Sequence, residues 1–480
     1  MFARQFLLST HAGSKPENFR TRNVGTWYLH YCPELPVAIY EAKILIGHAV
    51  DWSNPELSNE DILANMPSCH NRLAGRWAYL DLSENGEVFS DGSMTVCHTG
   101  SAVASSAALL ASVDPSLERK AHAGLHHYKK ASRHSGLAFL ATDTGYCGAH
   151  SLLTNHKLRL ADFSVERFGP DSPSALSKTE AIPKIAEILT GIMYGLVHRS
   201  KIALALTGGY DSRLLAAALS QVPEARDRAI TFTIQDRYAT GPGHYDIELA
   251  RWIATVVGFE HHTLYADASL DTRWRNQIRG SEDMQAPRFE EWAKLSSEDP
   301  LVDRLILNGW VSPVGRAYYS WPGSENVDVE DVLNVCHIEG PEREDLREEA
   351  KRWLEGARDA TQQSGVPVSD LLYWELRVPR WVGSCCTILG FGGFWMAPYS
   401  CRDLLMTMIG IPEDERGKSG HPLYVELIRH MRPELLERPI NPKTFSQRVK
   451  AFIAIGAKHR LAKLLVYLGL YDTMRRLRRN

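Results

Sequence analysis

The sequence predicts an α/β protein in which a β-rich N-terminal region precedes a doubly wound parallel sheet with a helical extension. Up to about residue 165, short strand-like runs alternate with turn residues. After the linker-like stretch "SPSALSKTE", apolar strand-like runs alternate with runs of helical spacing. Strands that alternate with helices imply a parallel sheet covered on both faces. We therefore predict two domains, residues 1–165 and 180–480.

The N-terminal strands are predicted from four runs of apolar and aromatic residues. These runs are "WYLHY", "VAIYEAKILIG", "LAGRWAYLDL" and "EVFSDGSMTVCHTG". Asn85-Gly86 separates the last two, and Asn-Gly between such runs is typical of a β-hairpin.

The second region begins with the amphipathic helix "AIPKIAEILTGIMYGLVHR". Predicted strands "IALAL", "AITFTI", "HHTLYA" and "RLILNG" follow, with helices "SRLLAAALSQV" and "YDIELARWIATVVG" between the first three. From about residue 370 onward the pattern predicts helices.

Composition excludes several functional classes. The 480 residues carry a net charge of -3, so no strong positive field favours nucleic acid or an anionic membrane. No segment reaches the roughly 18 apolar residues of a membrane span, and the N-terminus is too short and polar for a signal peptide. The eight cysteines include no C-x-x-C pair, which argues against zinc and dithiol redox sites. We expect a cytoplasmic protein with reduced thiols.

The strongest candidate for a binding site lies between "IALAL" and the helix that follows it. The six residues there are Thr207, Gly208, Gly209, Tyr210, Asp211 and Ser212. The glycines permit positive φ and close approach, and successive amides at a helix N-terminus can hold phosphate. Asp211 would hold Mg²⁺ that bridges the phosphates. The alternative is a tight turn in which Asp211 or Ser212 caps the helix.

These six residues resemble the S-G-G-x-D-S pyrophosphate loop of the ATP pyrophosphatase superfamily. The best match within it is the asparagine synthetase-like group, which includes β-lactam synthetases and lasso-peptide cyclases. In such enzymes ATP adenylates a carboxylate and releases pyrophosphate, and an amine then displaces AMP. The resemblance implies ATP and Mg²⁺ as the cofactors, with Asp211 as the metal ligand.

Further segments extend the resemblance over most of the chain. "AITFTI" is similar to the strand whose backbone receives adenine, with Ile234 at its end. "DIELARWIATVVG" resembles the next family helix, with Asp246 at its start. "RPINPKTF" resembles the late lysine loop, which implies that Lys443 stabilises charge on the α-phosphate. The alternative is that Lys443 is a solvated loop residue.

The segment "YWELRVPRWVG" and the residues after it look like the family's substrate-pocket helices. The resemblance places Glu375 where an acid assists the attacking amine, and the alternative is a structural ion pair with a nearby arginine. Arg377 and Arg402 either orient a carboxylate or form ion pairs. The aromatic side chains either line a large pocket or form a packed core: Trp374, Trp381, Trp395 and Tyr399.

The sequence departs from the family at its expected second metal acid. "LNGWVSPVGRAYYS" fits the family variant N-x-x-E-I-x-R-A-Y-Y, but Pro313 stands where the second Mg²⁺ carboxylate belongs. Trp310 occupies roughly the position of another polar catalytic group. Glu282 and Asp283 are candidate replacements for the missing acid.

The N-terminal region departs as well. Glutamine-using relatives carry a cysteine directly after Met1, and this chain has Phe2. "LAGRWAYLDLSENGEVFSDGSMTV" still resembles their strands. The resemblance therefore implies an Ntn-like αββα domain, a degenerate glutamine-amidotransferase-like domain without its nucleophile and without glutaminase activity.

The sequence predicts an ATP-dependent, AMP-forming amide ligase or cyclase. Its substrate would be a small-molecule, peptide or glycan acid, and the amine would come from that substrate or another molecule. Two alternatives are a nucleotide-binding pseudoenzyme or partner subunit, and an enzyme that passes the acyl group to sulfur or oxygen. Partners left open are a precursor peptide, a carrier protein and a second copy of the chain. The basic C-terminal tail is either a surface helix or a contact for an acidic partner, a carrier or a membrane surface.

Overall fold

Two antiparallel sheets and one parallel sheet organise the part of the chain that the structure describes. This computed structural model describes residues 2–13, 15–120, 139–235, 243–266, 270–282, 286–319, 326–336, 344, 346–417 and 420–442. The strands within these residues are β1 (Phe6–Ser9), β2 (Arg20–Val24), β3 (Trp27–Tyr31), β4 (Val37–Tyr40), β5 (Lys43–Asp51), β6 (Leu73–Asp81), β7 (Glu87–Ser90), β8 (Cys97–His98), β9 (Ala102–Ala104), β10 (His150–Ser151), β11 (His156–Arg159), β12 (Val165–Arg167), β13 (Ile202–Ala205), β14 (Ala229–Gln235), β15 (Glu260–Tyr265), β16 (Leu305–Leu307) and β17 (Phe394–Met396).

Helices surround these sheets. The α-helices are α1 (Asn59–Ala64), α2 (Ala107–Val113), α3 (Lys178–Arg199), α4 (Tyr210–Leu219), α5 (Ala225–Arg228), α6 (Gly243–Val257), α7 (Thr272–Arg279), α8 (Pro287–Ser296), α9 (Val329–Val335), α10 (Arg347–Ser364), α11 (Val368–Leu371), α12 (Ser384–Leu389), α13 (Arg402–Ile409), α14 (Glu413–Arg416) and α15 (Pro422–Met431). Short 3₁₀ turns cover His70–Arg72, Ser312–Val314 and Pro433–Leu436. A π-helical segment covers Leu372–Gly383, where the sequence predicts an ordinary helix. In the described part of the chain, no helix has both the length and the apolar character that a bilayer span needs.

The antiparallel region, formed by β1 to β12, contains two six-stranded sheets. Their strand orders are β10-β8-β9-β1-β3-β2 and β12-β11-β7-β6-β5-β4. Alternate residues of β5 face opposite sides: Ile44 and Ile46 join the core shared with the first sheet, and Leu45 joins a smaller core with Ile62 of α1. This alternation produces a sandwich of two sheets. The Ntn-like identity of this region stays a prediction.

Local turn residues explain the hairpins. β6 and β7 pair antiparallel across the turn that contains Asn85-Gly86, which confirms the predicted hairpin. The run "VAIYEAKILIG" forms β4 and β5 with a turn between them, because Glu41 adopts a left-handed φ of 54°.

The parallel region, formed by β13 to β17, has the strand order β15-β14-β13-β16-β17. β14 and β15 are added on one side of β13, and β16 and β17 on the other. Ligands in such sheets bind beyond the carboxyl ends of the strands at this switch point between β13 and β16. The alternation of strands and helices predicted β13, β14, β15 and β16. It missed β17, because three strand residues after a glycine pair give no periodic signal.

The two regions are joined through backbone and side chains. Ala74 of β6 bridges Cys401, and the N–H of Gly75 donates to the carbonyl oxygen of Ser400 at 3.1 Å. The hydroxyl of Ser400 donates to Asp91 Oδ2 at 2.8 Å. The last antiparallel strand ends at Arg167 and α3 begins at Lys178, while the predicted domain boundaries stay a prediction.

All eight cysteines are free thiols, seven of them buried and Cys147 exposed. Burial raises the pKa of the Cys386 thiol to about 11, so this side chain stays a neutral thiol at physiological pH. The thiols agree with the reduced state that the sequence predicts.

A buried histidine makes the antiparallel region sensitive to acid. His98 is 7% exposed, and its ring centroid lies 5.8 Å from that of His150. Burial and then His150 lower the pKa of His98 to about 4. The unfolded chain therefore binds a proton near pH 6.5 that the folded chain binds only near pH 4. The free energy of unfolding therefore has its full value above the pKa of the unfolded chain, and it decreases as the pH falls from there toward 4.

We expect His98→Gln to flatten the pH dependence of stability. The wild-type free energy of unfolding should fall by up to about 3 kcal/mol more than that of the variant between pH 7 and pH 4. Urea unfolding at both pH values measures this difference, and the exposed His11→Gln variant is the control. Equal pH slopes for wild type and His98→Gln would contradict the assignment.

Candidate functional site

The predicted loop lies at the switch point of the parallel sheet. It joins the end of β13 at Ala205 to the start of α4 at Tyr210, beside the loop that follows β16. The two loops touch: a Cβ placed on Gly309 would lie 2.7 Å from Asp211 Cβ. Only glycine fits at 309 without displacing Asp211.

Side-chain hydroxyls close the loop on itself. The N–H of Thr207 donates to Ser212 Oγ at 3.1 Å, and the N–H of Gly209 donates to Thr207 Oγ1 at 3.2 Å. The N–H of Gly208 donates to Asp246 Oδ1 at 3.2 Å. The amides of residues 207 to 209 are therefore satisfied within the protein, and the expected open nest at these residues is not present.

Close packing explains Gly208, and neither Gly208 nor Gly209 uses the positive φ that glycine permits. Gly209 has φ -80° and ψ 171°, which is extended backbone. Gly208 also lies outside the left-handed region, but a Cβ on it would lie 2.7 Å from Leu249 Cδ1. Close packing of the loop against α6 thus explains Gly208.

The N-terminus of α4 is open. Gly209 is its N-cap residue, and in the described part of the chain no side chain caps it. The interpretation of the loop as a turn in which Asp211 or Ser212 caps the helix is therefore wrong. The first N–H groups of a helix have no partner within it, and the helix dipole there favours an anion. The start of α4 can bind a phosphate group.

Asp211 has partners on both carboxylate oxygens. Ser312 donates its hydroxyl hydrogen to Oδ1, and Arg316 Nη2 lies 3.2 Å from Oδ2. Tyr399 holds the backbone of the same residue through a 3.0 Å hydrogen bond to its carbonyl oxygen. Burial by itself would lower the pKa of Arg316, but Asp211 and nearby tyrosines raise it above its ordinary value.

This arrangement does not fit the Mg²⁺ ion that Asp211 is predicted to bind. One carboxylate oxygen accepts the Ser312 hydroxyl hydrogen and the other is paired with the Arg316 guanidinium, and Pro313 supplies no oxygen ligand from its side chain. Within the described ranges, no group of three or more histidine, cysteine or acidic side chains could hold a metal. Glu282 interacts electrostatically with Arg76, and Asp283 lies outside the described residues.

Arg213 fastens a distant segment to the loop. Its Nη1 donates to the carbonyl oxygens of Leu435 at 2.7 Å and Arg438 at 2.9 Å. Its Nη2 donates to those of Pro439 at 3.2 Å and Gly208 at 3.3 Å. The side chain is fully buried, and burial lowers its pKa to about 10, so it stays charged at neutral pH. The sequence prediction missed this residue, although a charge between Ser212 and the apolar run "LLAAAL" is a signal.

The segment held by Arg213 leads directly to the predicted lysine. The N–H of Asn441 donates to the carbonyl oxygen of Gly208 at 3.2 Å. Lys443 follows two residues later and lies outside the described residues. Its predicted role stays a prediction.

Ile234 lies at the carboxyl end of β14, the strand next to β13. It pairs with Leu264 of β15 and is half-buried. Its backbone thus reaches the edge of the sheet where the loop lies, and its contact with adenine stays a prediction.

Glu375 lies in a buried cluster away from these contacts. Its carboxylate is fully buried, forms an ion pair with Arg167, and accepts hydrogen bonds from Asn155 Nδ2 at 3.0 Å and Trp353 Nε1 at 3.0 Å. No contact in the described structure joins Glu375 to Asp211 or Arg316. The geometry agrees with the ion-pair interpretation of Glu375.

Aromatic rings pack around Trp310 in the loop that follows β16. Trp310 contacts Trp381 with ring centroids 5.4 Å apart, and it stacks on Trp395 at 6.1 Å. Trp374, Trp395 and Tyr399 are buried, so they belong to a packed core, whereas Trp381 is half-buried. Val311 is buried with φ 71°, a strained conformation for a β-branched residue.

Arg377 is a buried cation without an anionic partner. It is 7% exposed, its buried Nε has no hydrogen-bond partner, and no carboxylate among the described residues forms an ion pair with it. It lies over the Trp381 ring at 4.8 Å, and Tyr318, Tyr319 and Tyr373 interact with it electrostatically. An unpaired buried charge is unfavourable, so an anionic ligand would stabilise this position.

Arg402 has a different environment. It lies over the rings of Phe168 at 4.8 Å and Trp374 at 5.5 Å. Burial lowers its pKa to about 10, against the opposite effect of Asp171 and Glu375. Arg402 is half-buried, and its cation contacts aromatic rings rather than the Thr207 to Ser212 loop.

Comparison with known proteins gives structural neighbours alone. No protein-family model and no curated protein matches the sequence. The U34-tRNA thiolase NcsA from Methanococcus maripaludis shares 14% identity over 62% of this chain and 79% of its own, with a TM-score of 0.24. The NMN synthetase from Francisella tularensis shares 14% identity over 42% of this chain and 93% of its own, with a TM-score of 0.22.

A third neighbour is the NH3-dependent NAD synthetase from Campylobacter jejuni. It shares 12% identity over 43% of this chain and 96% of its own, with a TM-score of 0.23. Membership in the asparagine synthetase-like group stays a prediction.

Proposed function

We propose that the protein is an ATP-dependent, AMP-forming amide ligase or cyclase. The observation that carries the proposal is the uncapped N-terminus of α4, placed at the switch point of the parallel sheet directly after the Thr207 to Ser212 loop. Backbone amides at the start of α4 bind the pyrophosphate portion of ATP. The backbone at Ile234 receives the adenine.

The reaction has two steps. A carboxylate oxygen of the substrate attacks the α-phosphorus, and the bond from that phosphorus to the bridging oxygen breaks to release pyrophosphate. An amine nitrogen then attacks the acyl carbon, AMP leaves with the electron pair of the acyl–oxygen bond, and the amine proton passes to a base. Lys443 stabilises the negative charge that develops on the α-phosphate.

The environment of Arg377 supports an acid as the substrate. Its buried guanidinium has no anionic partner among the described residues, and tyrosines surround it. One of these tyrosines, Tyr373, interacts electrostatically with both Arg377 and Arg316, and Arg316 is the ion-pair partner of Asp211. We assign this position to an anionic group of a small-molecule, peptide or glycan substrate.

A second candidate function is a nucleotide-binding pseudoenzyme or partner subunit. One observation favours it: Asp211 is paired with Arg316, and Pro313 replaces the predicted second metal acid. In this alternative the loop binds a nucleotide and no adenylate forms.

Acid-dependent release of pyrophosphate tests the ligase. With ATP and a panel of amino-substituted acids, we expect AMP and pyrophosphate in equal amounts. Lys443→Ala should lower the rate by about a hundredfold, because it removes a charge that acts in the transition state. The exposed Lys201→Ala variant is the matched control. Stoichiometric ATP binding without pyrophosphate from any acid would exclude the ligase and favour the pseudoenzyme.

A further inference from the structure

The most unusual feature of the site is a guanidinium where a metal ion is predicted. We propose that Arg316 replaces the divalent cation at Asp211, so that the start of α4 binds a nucleotide polyphosphate without a metal. This inference rests on the proposed nucleotide site at the Thr207 to Ser212 loop. It concerns which charge neutralises Asp211 there.

Both carboxylate oxygens of Asp211 have a partner within the protein. Ser312 donates a hydrogen bond to one carboxylate oxygen, Arg316 forms an ion pair with the other, and both residues come from the same short stretch of chain. The pair of Asp211 and Arg316 has no net charge. A bare carboxylate in the first turn of α4 would repel a phosphate at the helix N-terminus, and the guanidinium removes that repulsion.

The turn that carries Arg316 is built to hold it in this position. Pro313 lies in the 3₁₀ turn Ser312–Val314, which brings residues 312 and 316 to the same carboxylate. Tyr424 donates its hydroxyl hydrogen to the carbonyl oxygen of Ser312 at 3.1 Å, which fixes the start of the turn. Pro313 stands where the second metal ligand is predicted, and it is also part of the turn that positions Arg316 beside Asp211.

The neighbouring residues restrict the Arg316 side chain further. It is 16% exposed and lies over the Tyr318 ring at 5.6 Å. Ala317 adopts φ 47°, and the N–H of Tyr318 donates to the carbonyl oxygen of Pro313 at 3.3 Å. Arg316 is therefore a positioning residue for the phosphate site, held by its own turn.

The proposal makes a specific prediction for metal dependence. Nucleotide affinity is measured by calorimetry with ATP, and separately with pyrophosphate, in EDTA and in excess Mg²⁺. Wild-type affinity for each should differ by less than about threefold between the two conditions. Arg316→Gln should weaken ATP binding in EDTA by at least about tenfold, because Asp211 is then unpaired.

Two rescues distinguish the charge role from a structural one. Mg²⁺ should restore ATP binding to Arg316→Gln, because its free carboxylate can then hold the ion. The double variant Asp211→Asn/Arg316→Gln should bind ATP in EDTA within about threefold of wild type, because the pair is again neutral. Arg159→Gln, which breaks a surface ion pair with Asp162, is the control and should change nothing.

The outcomes separate this inference from the proposed function. Wild-type binding that requires Mg²⁺ and is lost in Asp211→Asn overturns the inference and leaves the nucleotide site intact. Absence of ATP binding under both conditions overturns the proposed function itself. The comparison of wild-type affinity in EDTA and in Mg²⁺ needs no variant, so a folding defect in Arg316→Gln leaves its outcome unchanged.

Discussion

Replacing Arg213 by methionine is expected to lower the free energy of unfolding by about 3–5 kcal/mol. The guanidinium donates to four backbone carbonyl oxygens, three of them in the segment that leads to Lys443. Methionine fills much of the same volume and satisfies none of these carbonyls. We therefore also expect ATP affinity to fall by at least about tenfold, since the segment is no longer held against Gly208.

Urea unfolding and ATP titration measure the two effects. Arg213→Lys should recover only part of the loss, because one ammonium group cannot reach all four carbonyls in the geometry of a guanidinium. The exposed Arg226→Met variant on α5 is the control. Wild-type stability together with wild-type ATP affinity in Arg213→Met would show that the four hydrogen bonds are unimportant.

Glu375→Ala is expected to destabilise the protein by about 3–5 kcal/mol, because it leaves the Arg167 guanidinium and the Trp353 indole N–H without their acceptor. The double variant Arg167→Met/Glu375→Met should recover most of that stability, since an apolar pair can replace a buried ion pair. Thermal and urea unfolding of the single and double variants measure this.

The same variants decide between the two interpretations of Glu375. If the residue is structural, the double variant keeps acid-dependent pyrophosphate release and product formation per folded molecule. If it assists the amine, product formation falls by about a hundredfold while pyrophosphate release persists and stability recovers. The second result would contradict the structural assignment.

The sequence predicted the parts of the fold that depend on local periodicity. Strands β13 and β14 are apolar runs between helical runs, and the loop after β13 carries a distinctive set of glycines, hydroxyls and an acid. Strand β17 has only three residues, and it follows Gly392 and Gly393 in a segment predicted as helical. Its place in the sheet depends on pairing with β16, which no local pattern reveals.

The site residues that were missed depend on distant partners. Arg213 and Arg316 are ordinary cations in the sequence, and their roles follow from contacts with Leu435 and Asp211. Mg²⁺ is held by oxygen ligands, so the loop motif predicts acids and hydroxyls around Asp211. It does not predict that a cation lies beside that carboxylate. The partners of Glu375 likewise come from the antiparallel region, far from it in the chain.

The contacts between the antiparallel and parallel regions have a consequence for how the sequence can vary. Asn155 and Arg167 serve Glu375 across the boundary, and Asp91 accepts from Ser400. A substitution at any of these positions therefore removes a hydrogen bond or an ion pair from a residue of the other region. The parallel region thus depends on the antiparallel region for the partners of Glu375 and Ser400, and this structural role requires no reactive group in the antiparallel region.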